Sequence, residues 1–310
     1  MNLIHACVNK ESGVVRIVEP DATCRIGEYP LDWNIQGLIG PQGVQGQKGE
    51  KGEKGDTGNT GPQGSAGPAF PTSCPADSVL VGTTCVDTYK ASVWEISPNN
   101  AALIAAVRNG TATLADLQAS GVLRGVNGDD YNCNDDGNDC TDLYAASVAD
   151  VLPSRVLTWF QAQQFCRASG KRLLTNAEWQ SAAAGTPDPE TDNKSTDCNT
   201  GAGGLSVGVT ATGSRSSCVS NAGAFDMVGN LYEWVGDWVP PATGCSTDLF
   251  GAGDDNCMTI DPTSTFSPSG PAALIRGGGY RFGVKAGVFA VNGGAQPSHV
   301  SGDIGFRCAR

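Results

Sequence analysis

The sequence lacks several features that mark common classes of protein. No run of apolar residues approaches the about 18 that a membrane-spanning helix needs. The first ten residues, MNLIHACVNK, contain no apolar segment of the kind found in a signal peptide. Basic residues are not clustered, and the net charge is −12. This acidity argues against nucleic acids and anionic membranes as partners and is compatible with bound cations. We therefore expect neither nucleic-acid binding nor membrane insertion.

Histidine is scarce, and no cysteine stands in a CxxC pair, so zinc and redox sites are only weakly indicated. The chain nevertheless has twelve cysteines, an even number, in a sequence rich in glycine and loop-forming residues. Such a set favours disulfides and an oxidising compartment. We expect the protein to be extracellular, on a cell surface or on a virion surface.

The cysteine spacing suggests that neighbours in sequence pair, although sequence alone leaves other connectivities open. The pairs suggested in this way are Cys7–Cys24, Cys74–Cys85, Cys133–Cys140, Cys198–Cys218 and Cys245–Cys257. Cys166 and Cys308 then remain, as a long-range staple that would close the C-terminal part of the chain.

Glycine recurs at every third position from Gly37 to Gly67 without a break. Only glycine fits at the axis where three polyproline II strands meet, so this period predicts a collagen triple helix, roughly 100 Å long, and a homotrimer. A flexible glycine-rich linker is the alternative, but a linker would not keep the period.

Composition divides the chain into four parts. We predict an N-terminal trimerisation or anchoring segment at 1–36, a collagen-like stalk at 37–69, a hinge at 70–77 and a head at 78–310. The alternating run Val14–Val18 predicts a strand in the first segment. A disordered tail is the alternative there, which the two cysteines and the apolar run disfavour.

The head is predicted to be an irregular, loop-rich α+β domain. Two strands are expected within 78–96, with a turn at Gly82-Thr83. Capping boxes that begin at Thr158 and Thr175 predict helices over 159–168 and 176–184. Shorter helical patterns at 99–107 and 113–119 suggest an insertion, and beyond residue 186 we expect short strands among long loops.

Four sequence words occur in order along the head, and together they resemble the formylglycine-generating enzyme family, the sulfatase-modifying-factor domain. The words are GKRLLTNAEWQSAAAG (170–185), DMVGNLYEWVGDW (226–238), IRGGGY (275–280) and GFRCAR (305–310). The resemblance covers roughly 78–310, with an insertion near 98–150, and implies a variant of the C-type lectin fold. It also implies the Cys166–Cys308 disulfide, in agreement with the pairing suggested above.

The same resemblance argues against enzymatic activity. The oxidases of the family bind Cu(I) with two cysteines that follow the RGGS-aromatic word, and the matching positions here are Phe282 and Gly287. Neither residue can ligate copper, so we expect no copper and no oxidase activity. His299 has Ser298, Ser301 and Asp303 nearby, but four residues on one loop more often form a solvated polar loop than a catalytic triad.

The C-terminal stretch also resembles the variable proteins of diversity-generating retroelements, in which selected codons are mutated to alter one exposed binding face. RGGGY (276–280), AGVF (286–289) and IGFRCAR (304–310) carry this resemblance. It implies a diversified ligand-binding patch, whose alternative is an ordinary surface loop on a head of fixed function. The residues of the patch are Tyr280, Arg281, Phe282, Val284, Asn292, Gly294, Ala295, His299, Ser301 and Asp303. Tyr280 is also open to a core role.

A structural calcium ion is the expected cofactor. In the family the turn within DMVGNLYEW binds calcium, which implies Asp226 and Glu233 as side-chain ligands and the carbonyls of Gly229 and Leu231. Such oxygen ligands suit calcium. The alternative is that Glu233 pairs with a buried arginine.

Together these features predict a non-catalytic, trimeric, adhesin-like protein that holds a ligand-binding head on a collagen stalk. The N-terminal segment resembles the short ACVNK…LDWN segment found ahead of bacterial collagen-like repeats. The predicted ligand is a protein or a glycan. The alternatives are a structural fibre subunit and a copper-dependent oxidase.

Overall fold

The computed structural model describes residues 3–34, 71–188, 191–204, 206–246, 253–261 and 270–310. The chain divides into two units, Met1–Ser65 and Ala66–Arg310, which we call the N-terminal unit and the head. The predicted stalk at 37–69 lies outside the described residues, and the predicted hinge at 70–77 is described from residue 71 onward.

Residues 3–34 of the N-terminal unit form one antiparallel sheet of three strands. These are β1 (Leu3–Asn9), β2 (Val15–Val18) and β3 (Glu28–Asn34), in the order β2-β1-β3. The strand predicted at Val14–Val18 is therefore present as β2. The Cys7–Cys24 disulfide joins the central strand to the loop before β3.

The described part of the head contains three sheets of short strands. The strands are β4 (Ser78–Val81), β5 (Thr84–Asp87), β6 (Ser92–Ile96), β7 (Gly121–Arg124), β8 (Leu143–Ala146), β9 (Arg172–Leu173), β10 (Tyr232–Val239), β11 (Gly244–Ser246), β12 (Asn256–Thr259), β13 (Ala272–Arg276), β14 (Val291–Asn292), β15 (Ile304–Phe306) and β16 (Cys308–Ala309). The first sheet has the order β11-β12-β14-β13-β10-β15, the second β4-β5-β16-β9 and the third β7-β6-β8.

Four α-helices complete the described part of the head: α1 (Ala101–Arg108), α2 (Leu114–Ser120), α3 (Trp159–Ala168) and α4 (Asn176–Ala183). The capping boxes predicted at Thr158 and Thr175 are both formed, which fixes the start of α3 and α4. None of the helices in the described residues is long and apolar enough to span a bilayer.

The segment 78–96 departs from the prediction because it forms three strands, not two. The turn at Gly82-Thr83 is present, with Gly82 in the left-handed region at φ +60°. After Asp87 the chain leaves the β4-β5 sheet, and Lys90 enters the protein interior before β6 begins in a different sheet. The irregular segment between β5 and β6 therefore places a buried lysine, Lys90, in the core.

A buried cluster of charges lies at the centre of the head. Both oxygens of the Glu233 carboxylate, on β10, accept hydrogen bonds from Arg307, and Oε1 also accepts one of 2.6 Å from the Lys90 ammonium. The Trp179 indole N–H of α4 donates to Glu233 Oε2 at 2.9 Å. Burial would raise the pKa of Glu233, but the charges of Arg307 and Lys90 outweigh it and hold the pKa at about 2. Glu233 therefore stays ionised and satisfied.

A second buried cluster closes the C-terminal end of the chain. The Lys171 ammonium lies 2.6 Å from both Asp77 and Asp87, and Arg310 pairs with Asp77 at 2.8 Å. Together the two clusters use Arg307 and Arg310, which are the two arginines of the word GFRCAR. That word therefore holds strands of the first and second sheets together.

All twelve cysteines lie in six disulfides. The pairs are the ones that the spacing suggested, including Cys166–Cys308, which joins α3 to β16 across 142 residues of sequence. Both of its cysteines are fully buried in the main core, beside Phe165 and Phe306. This disulfide closes by far the largest loop of the six.

Loop length predicts which disulfide matters most to stability. Replacing Cys166 and Cys308 by alanine should lower the free energy of unfolding by about 5 kcal/mol, because the unfolded chain regains the entropy of a 142-residue loop. The same replacement at Cys133 and Cys140, seven residues apart, should cost about 2 kcal/mol. Denaturant unfolding of the two double variants measures the difference, and equal losses would contradict this account.

Candidate ligand-binding site

The predicted binding residues surround a cavity of about 950 Å³ in the head. Its walls come from β10, β13, β14 and β15, from the β11-β12 hairpin and from the loop 294–303. Eight of the ten predicted residues line it: Arg281, Phe282, Asn292, Gly294, Ala295, His299, Ser301 and Asp303. The structure thus brings to one concave surface residues that are spread over 23 positions of sequence.

Two predicted residues, Tyr280 and Val284, are not among the residues that line the cavity. Both Tyr280 and Phe282 lie in a turn in which the Phe282 N–H donates to the Gly279 carbonyl, but only Phe282 lines the cavity. Tyr280 is half-buried, and its backbone N–H donates to the Asn230 carbonyl. Val284 lies in a 3₁₀ turn, Gly283–Lys285, with 53% of its surface exposed. The prediction therefore included two residues that the cavity does not use.

The floor of the cavity is aromatic and aliphatic. The Phe282 ring meets the Tyr232 ring edge-on, with centroids 4.8 Å apart, and Ile275 and Ile304 lie beside them. Tyr232 is only 2% exposed, yet its hydroxyl has no hydrogen-bond partner among the described residues. A buried phenol usually finds a partner, so this hydroxyl is an unsatisfied polar group at the floor of the cavity.

One side of the cavity is charged and polar. The Arg281 guanidinium lies 2.7 Å from Asp303 Oδ2, and the Ser301 hydroxyl donates to Asp303 Oδ1. The Asp303 backbone carbonyl accepts the Tyr232 N–H, which fixes Asp303 to the edge of β10. Asp303 is buried whereas most of the Arg281 side chain is exposed. A ligand would therefore meet an exposed guanidinium that is paired with a buried carboxylate.

The remaining wall is the β11-β12 hairpin, which contributes Thr243, Gly244 and the Cys245–Cys257 disulfide. Sequence reasoning did not assign these residues to the site, and it also missed Tyr232, Ile275 and Ile304. The last three belong to the words DMVGNLYEW, IRGGGY and IGFRCAR, so their place beside the predicted patch was the available signal. No local sequence pattern indicated that the hairpin lines the cavity, because only the tertiary fold brings it there.

His299 does not form a catalytic triad. Among the described residues, no hydrogen bond joins its ring to Ser298, Ser301 or Asp303, and the Ser301 hydroxyl points to Asp303 instead. Its backbone N–H donates to the Gln296 carbonyl within an exposed turn. The arrangement is that of a polar loop at the edge of the cavity, as the sequence favoured.

Two of the four groups predicted to bind calcium contact a cation of the protein, whereas Asp226 Oδ1 is buried without a hydrogen-bond partner among the described residues. The Lys90 ammonium donates to the Leu231 carbonyl at 2.8 Å and to Glu233 at 2.6 Å, so a fixed cation of the protein already occupies two of the four ligands. Arg307 donates a hydrogen bond of 2.9 Å to the other carboxylate oxygen of Glu233, Oε2. Asp226 accepts the Gly213 N–H at 2.8 Å through one oxygen. The pairing of Glu233 with a buried arginine, the alternative that the sequence left open, is present, and calcium at Asp226, Gly229, Leu231 and Glu233 stays a prediction.

Two carboxylates occupy the space beside Gly287, one of the two positions that match the cysteines of the oxidases. A Cβ on Gly287 would lie 1.9 Å from Asp254 Oδ1 and 2.4 Å from Asp188 Oδ2, so no larger residue fits there. Asp254 is buried and accepts the Phe289 N–H at 2.7 Å. Burial, and then the charge of Asp254, raise the pKa of Asp188 to about 7. Sequence reasoning missed this pair, whose members are 66 positions apart.

The raised pKa of Asp188 predicts a pH dependence of stability. Below about pH 4 the folded and unfolded states both hold the proton, whereas between about 4 and 7 only the folded state holds it, so the free energy of unfolding falls as the pH rises through this range. Asp188→Asn mimics the protonated form. It should exceed the wild type only slightly at pH 5 and by about 1 kcal/mol at pH 8, since Asp188 stays partly open to solvent.

Urea unfolding at the two pH values measures this difference. Asp197→Asn is the control, because Asp197 lies outside the pair and accepts only the Asn193 N–H. It should keep the pH dependence of the wild type. An Asp188→Asn variant whose stability falls between pH 5 and pH 8 as steeply as that of the wild type would contradict the assignment.

Comparison with known proteins gives the family of this domain. The family model described as the sulfatase-modifying factor enzyme 1-like domain matches residues 122–310, a shorter span than the 78–310 that the motifs suggested. The formylglycine-generating enzyme of Streptomyces coelicolor (strain ATCC BAA-471 / A3(2) / M145) is 28% identical over 176 residues, which are 49% of this chain and 51% of that protein. The chain thus spans about half the length of this relative.

Two solved structures are similar at low identity. The Major Tropism Determinant I1 variant is 19% identical with a TM-score of 0.40, and the match covers 76% of this chain and 52% of that one. Treponema denticola variable protein 1 is 19% identical with a TM-score of 0.35, and the match covers 51% of this chain and 70% of that one. Since the family model spans more than half of the sequence, the chain belongs to the family with a sulfatase-modifying factor enzyme 1-like domain.

Proposed function

We propose that the head is a non-catalytic ligand-binding domain and that its ligand occupies the cavity lined by Arg281, Phe282 and His299. The observation that supports this most strongly is the cavity itself, because eight residues chosen from the sequence alone surround it. An apolar floor with a few polar groups at the edge is the usual composition of a binding cavity. The free hydroxyl of Tyr232 adds one buried polar group without a partner among the described residues.

The chemistry of the cysteines supports a role without catalysis. Copper oxidases of the family need two thiolates, and all twelve cysteines of this chain are in disulfides. The two matching positions are Phe282, which packs on Tyr232, and Gly287, which two carboxylates enclose. Neither position offers a soft ligand for Cu(I).

The rest of the chain supports a trimeric arrangement and an extracellular location of the head. The G-X-Y run from Gly37 to Gly67 supports a collagen triple helix and therefore three heads on one stalk. Three heads raise a weak individual affinity through avidity where the spacing of the ligand permits. The six disulfides favour an oxidising location, on the outside of a cell or a virion. The protein is then an adhesin-like receptor for a protein or a glycan.

The finer proposal is that the cavity surface is diversified. The resemblance to variable proteins rests on fixed words, and in those words Arg276, Phe306 and Arg307 are buried. Between the words lie exposed residues such as Arg281 and His299. A division between a buried frame and an exposed face is what tolerance to sequence variation requires.

Tyr232→Phe tests the cavity with the removal of one atom. The variant should weaken ligand binding about threefold to tenfold, because a hydrogen bond to a neutral group is lost. It should leave the free energy of unfolding within about 0.5 kcal/mol, because the hydroxyl has no partner among the described residues. The full-length protein would be screened on arrays of immobilised oligosaccharides and cell-surface ectodomains, and each hit titrated with wild type and variant.

Val284→Ala is the matched control, because Val284 belonged to the predicted patch but does not line the cavity. It should bind the same hits as the wild type. Arg281→Ala should weaken binding, since Arg281 lines the cavity and is mostly exposed. Loss of binding in Val284→Ala, with full binding in Tyr232→Phe and Arg281→Ala, would show that the ligand binds outside this cavity.

Sequencing of the 3′ end of the gene across its own population tests the diversification. Substitutions should concentrate in codons of the cavity, such as those for Arg281, Asn292 and His299, and trace to adenines in a template copy. The codons of the buried words, such as those for Arg276 and Arg307, should stay unchanged and serve as the internal control. An invariant stretch from Gly279 to Asp303 would leave a receptor of fixed specificity.

A further inference from the structure

The N-terminal sheet sorts its residues into one apolar and one polar face. Because side chains alternate along a strand, residues opposite one another in the register share a face. Val8 lies opposite Val15 on β2 and Tyr29 on β3, and Ala6 lies opposite Ile17 and Leu31. We call the resulting surface the apolar face; its principal residues are Val8, Val15, Ile17, Tyr29, Leu31 and Trp33.

The opposite face of the same sheet is complete as it stands. Arg16 and Glu28 form an ion pair of 2.7 Å between the outer strands, and the His5 ring lies 2.9 Å from Asp32. The Cys7–Cys24 disulfide lies on the same side. Polar groups that pair with each other in solvent need no further cover. The sheet therefore has one face suited to water and one that is not.

The outer strands of the apolar face are open to solvent in the single chain. Ile17 is 69% exposed and Leu31 is 43% exposed, and Tyr29 and Trp33 are exposed as well. Val8 on the central strand is buried, so the outer strands β2 and β3 form the exposed part of the face. A sheet of three strands does not normally leave a contiguous apolar surface in water, and such a surface marks an association site.

The sequence that follows the sheet identifies what covers this face. The G-X-Y run begins at Gly37, three residues after β3 ends at Asn34. A run with glycine at every third position requires three chains at its axis. Three copies of the sheet are then tethered at the same end of the stalk, where short tethers give effective concentrations in the millimolar range. The apolar face carries no charge, so three copies meet without repulsion.

We propose that the apolar faces of three copies of this chain pack together and form the module that nucleates the collagen-like stalk. The proposal rests on the three-chain stalk of the proposed function, and it does not depend on the ligand of the head. It also decides between the two roles that the sequence left open for this segment, in favour of trimerisation.

The test uses the full-length protein with its disulfides intact. Ile17→Asn and Leu31→Asn, singly and together, place an amide on the apolar face. Val14→Asn is the control, because Val14 is 64% exposed and its carbonyl accepts the Asn9 N–H just before β2 begins, which places it with Asn9 on the other face. Each protein is heated until the triple helix dissociates and is then cooled. Light scattering follows the return of a mass three times that of the 31.8 kDa chain.

The wild type and Val14→Asn should recover the trimer at the same rate, and the double variant at least tenfold more slowly. Mapping of the Cys7–Cys24 disulfide by mass spectrometry shows that each N-terminal unit keeps its native cross-link. Recovery of the double variant at the wild-type rate would overturn this proposal alone. A wild-type protein that is monomeric before heating would overturn the three-chain stalk as well. Retained ligand binding by monomeric heads would leave the function of the cavity standing.

Discussion

The buried carboxylate of Glu233 is the constraint on which the rest of the head depends. An ion without solvent is costly, and removing one partner from a buried pair typically costs about 3–5 kcal/mol, so Glu233 fixes every group that satisfies it. Those groups are Lys90 from the break before β6, Trp179 from α4 and Arg307 from the segment after β15. Arg307 in turn donates to the carbonyls of Asp87 and Phe225. One carboxylate thereby ties together segments that are far apart in sequence.

This arrangement explains why three of the four sequence words occur together. TNAEW supplies the indole of Trp179, DMVGNLYEW supplies Glu233, and GFRCAR supplies Arg307 together with Cys308 of the long-range disulfide. Their side chains are directed to the interior, where they contact each other. The cavity lies on the other side of β10, where Tyr232 forms the floor next to Glu233 in sequence. Strand β10 therefore contributes to both: Glu233 belongs to the buried charge cluster, and its neighbour Tyr232 lines the cavity.

The sequence predicted the parts of the structure that local chemistry determines. The boxes at Thr158 and Thr175 set the starts of α3 and α4, and short spacing suggested five of the disulfides. It did not predict the pairing of Asp188 with Asp254 or the hairpin wall at Thr243, because only the fold brings these together. The motif resemblance suggested a calcium ion beside Glu233. No local pattern predicted that the Lys90 ammonium would contact the Leu231 carbonyl and the Glu233 carboxylate. Tyr280 and Val284 do not line the cavity, and an irregular turn has no period from which their side-chain direction could be inferred.

The central claim is that the buried frame holds the fold while the cavity residues are free to change. The most direct measurement is the fraction of folded protein in two libraries of the full chain, scored by protease resistance. One library randomises Arg281, Asn292, His299 and Ser301 at the cavity, and the other randomises Lys90, Glu233 and Arg307 in the frame. We predict that most members of the first library fold and that almost none of the second do. Equal losses in the two libraries would contradict the separation of frame and face.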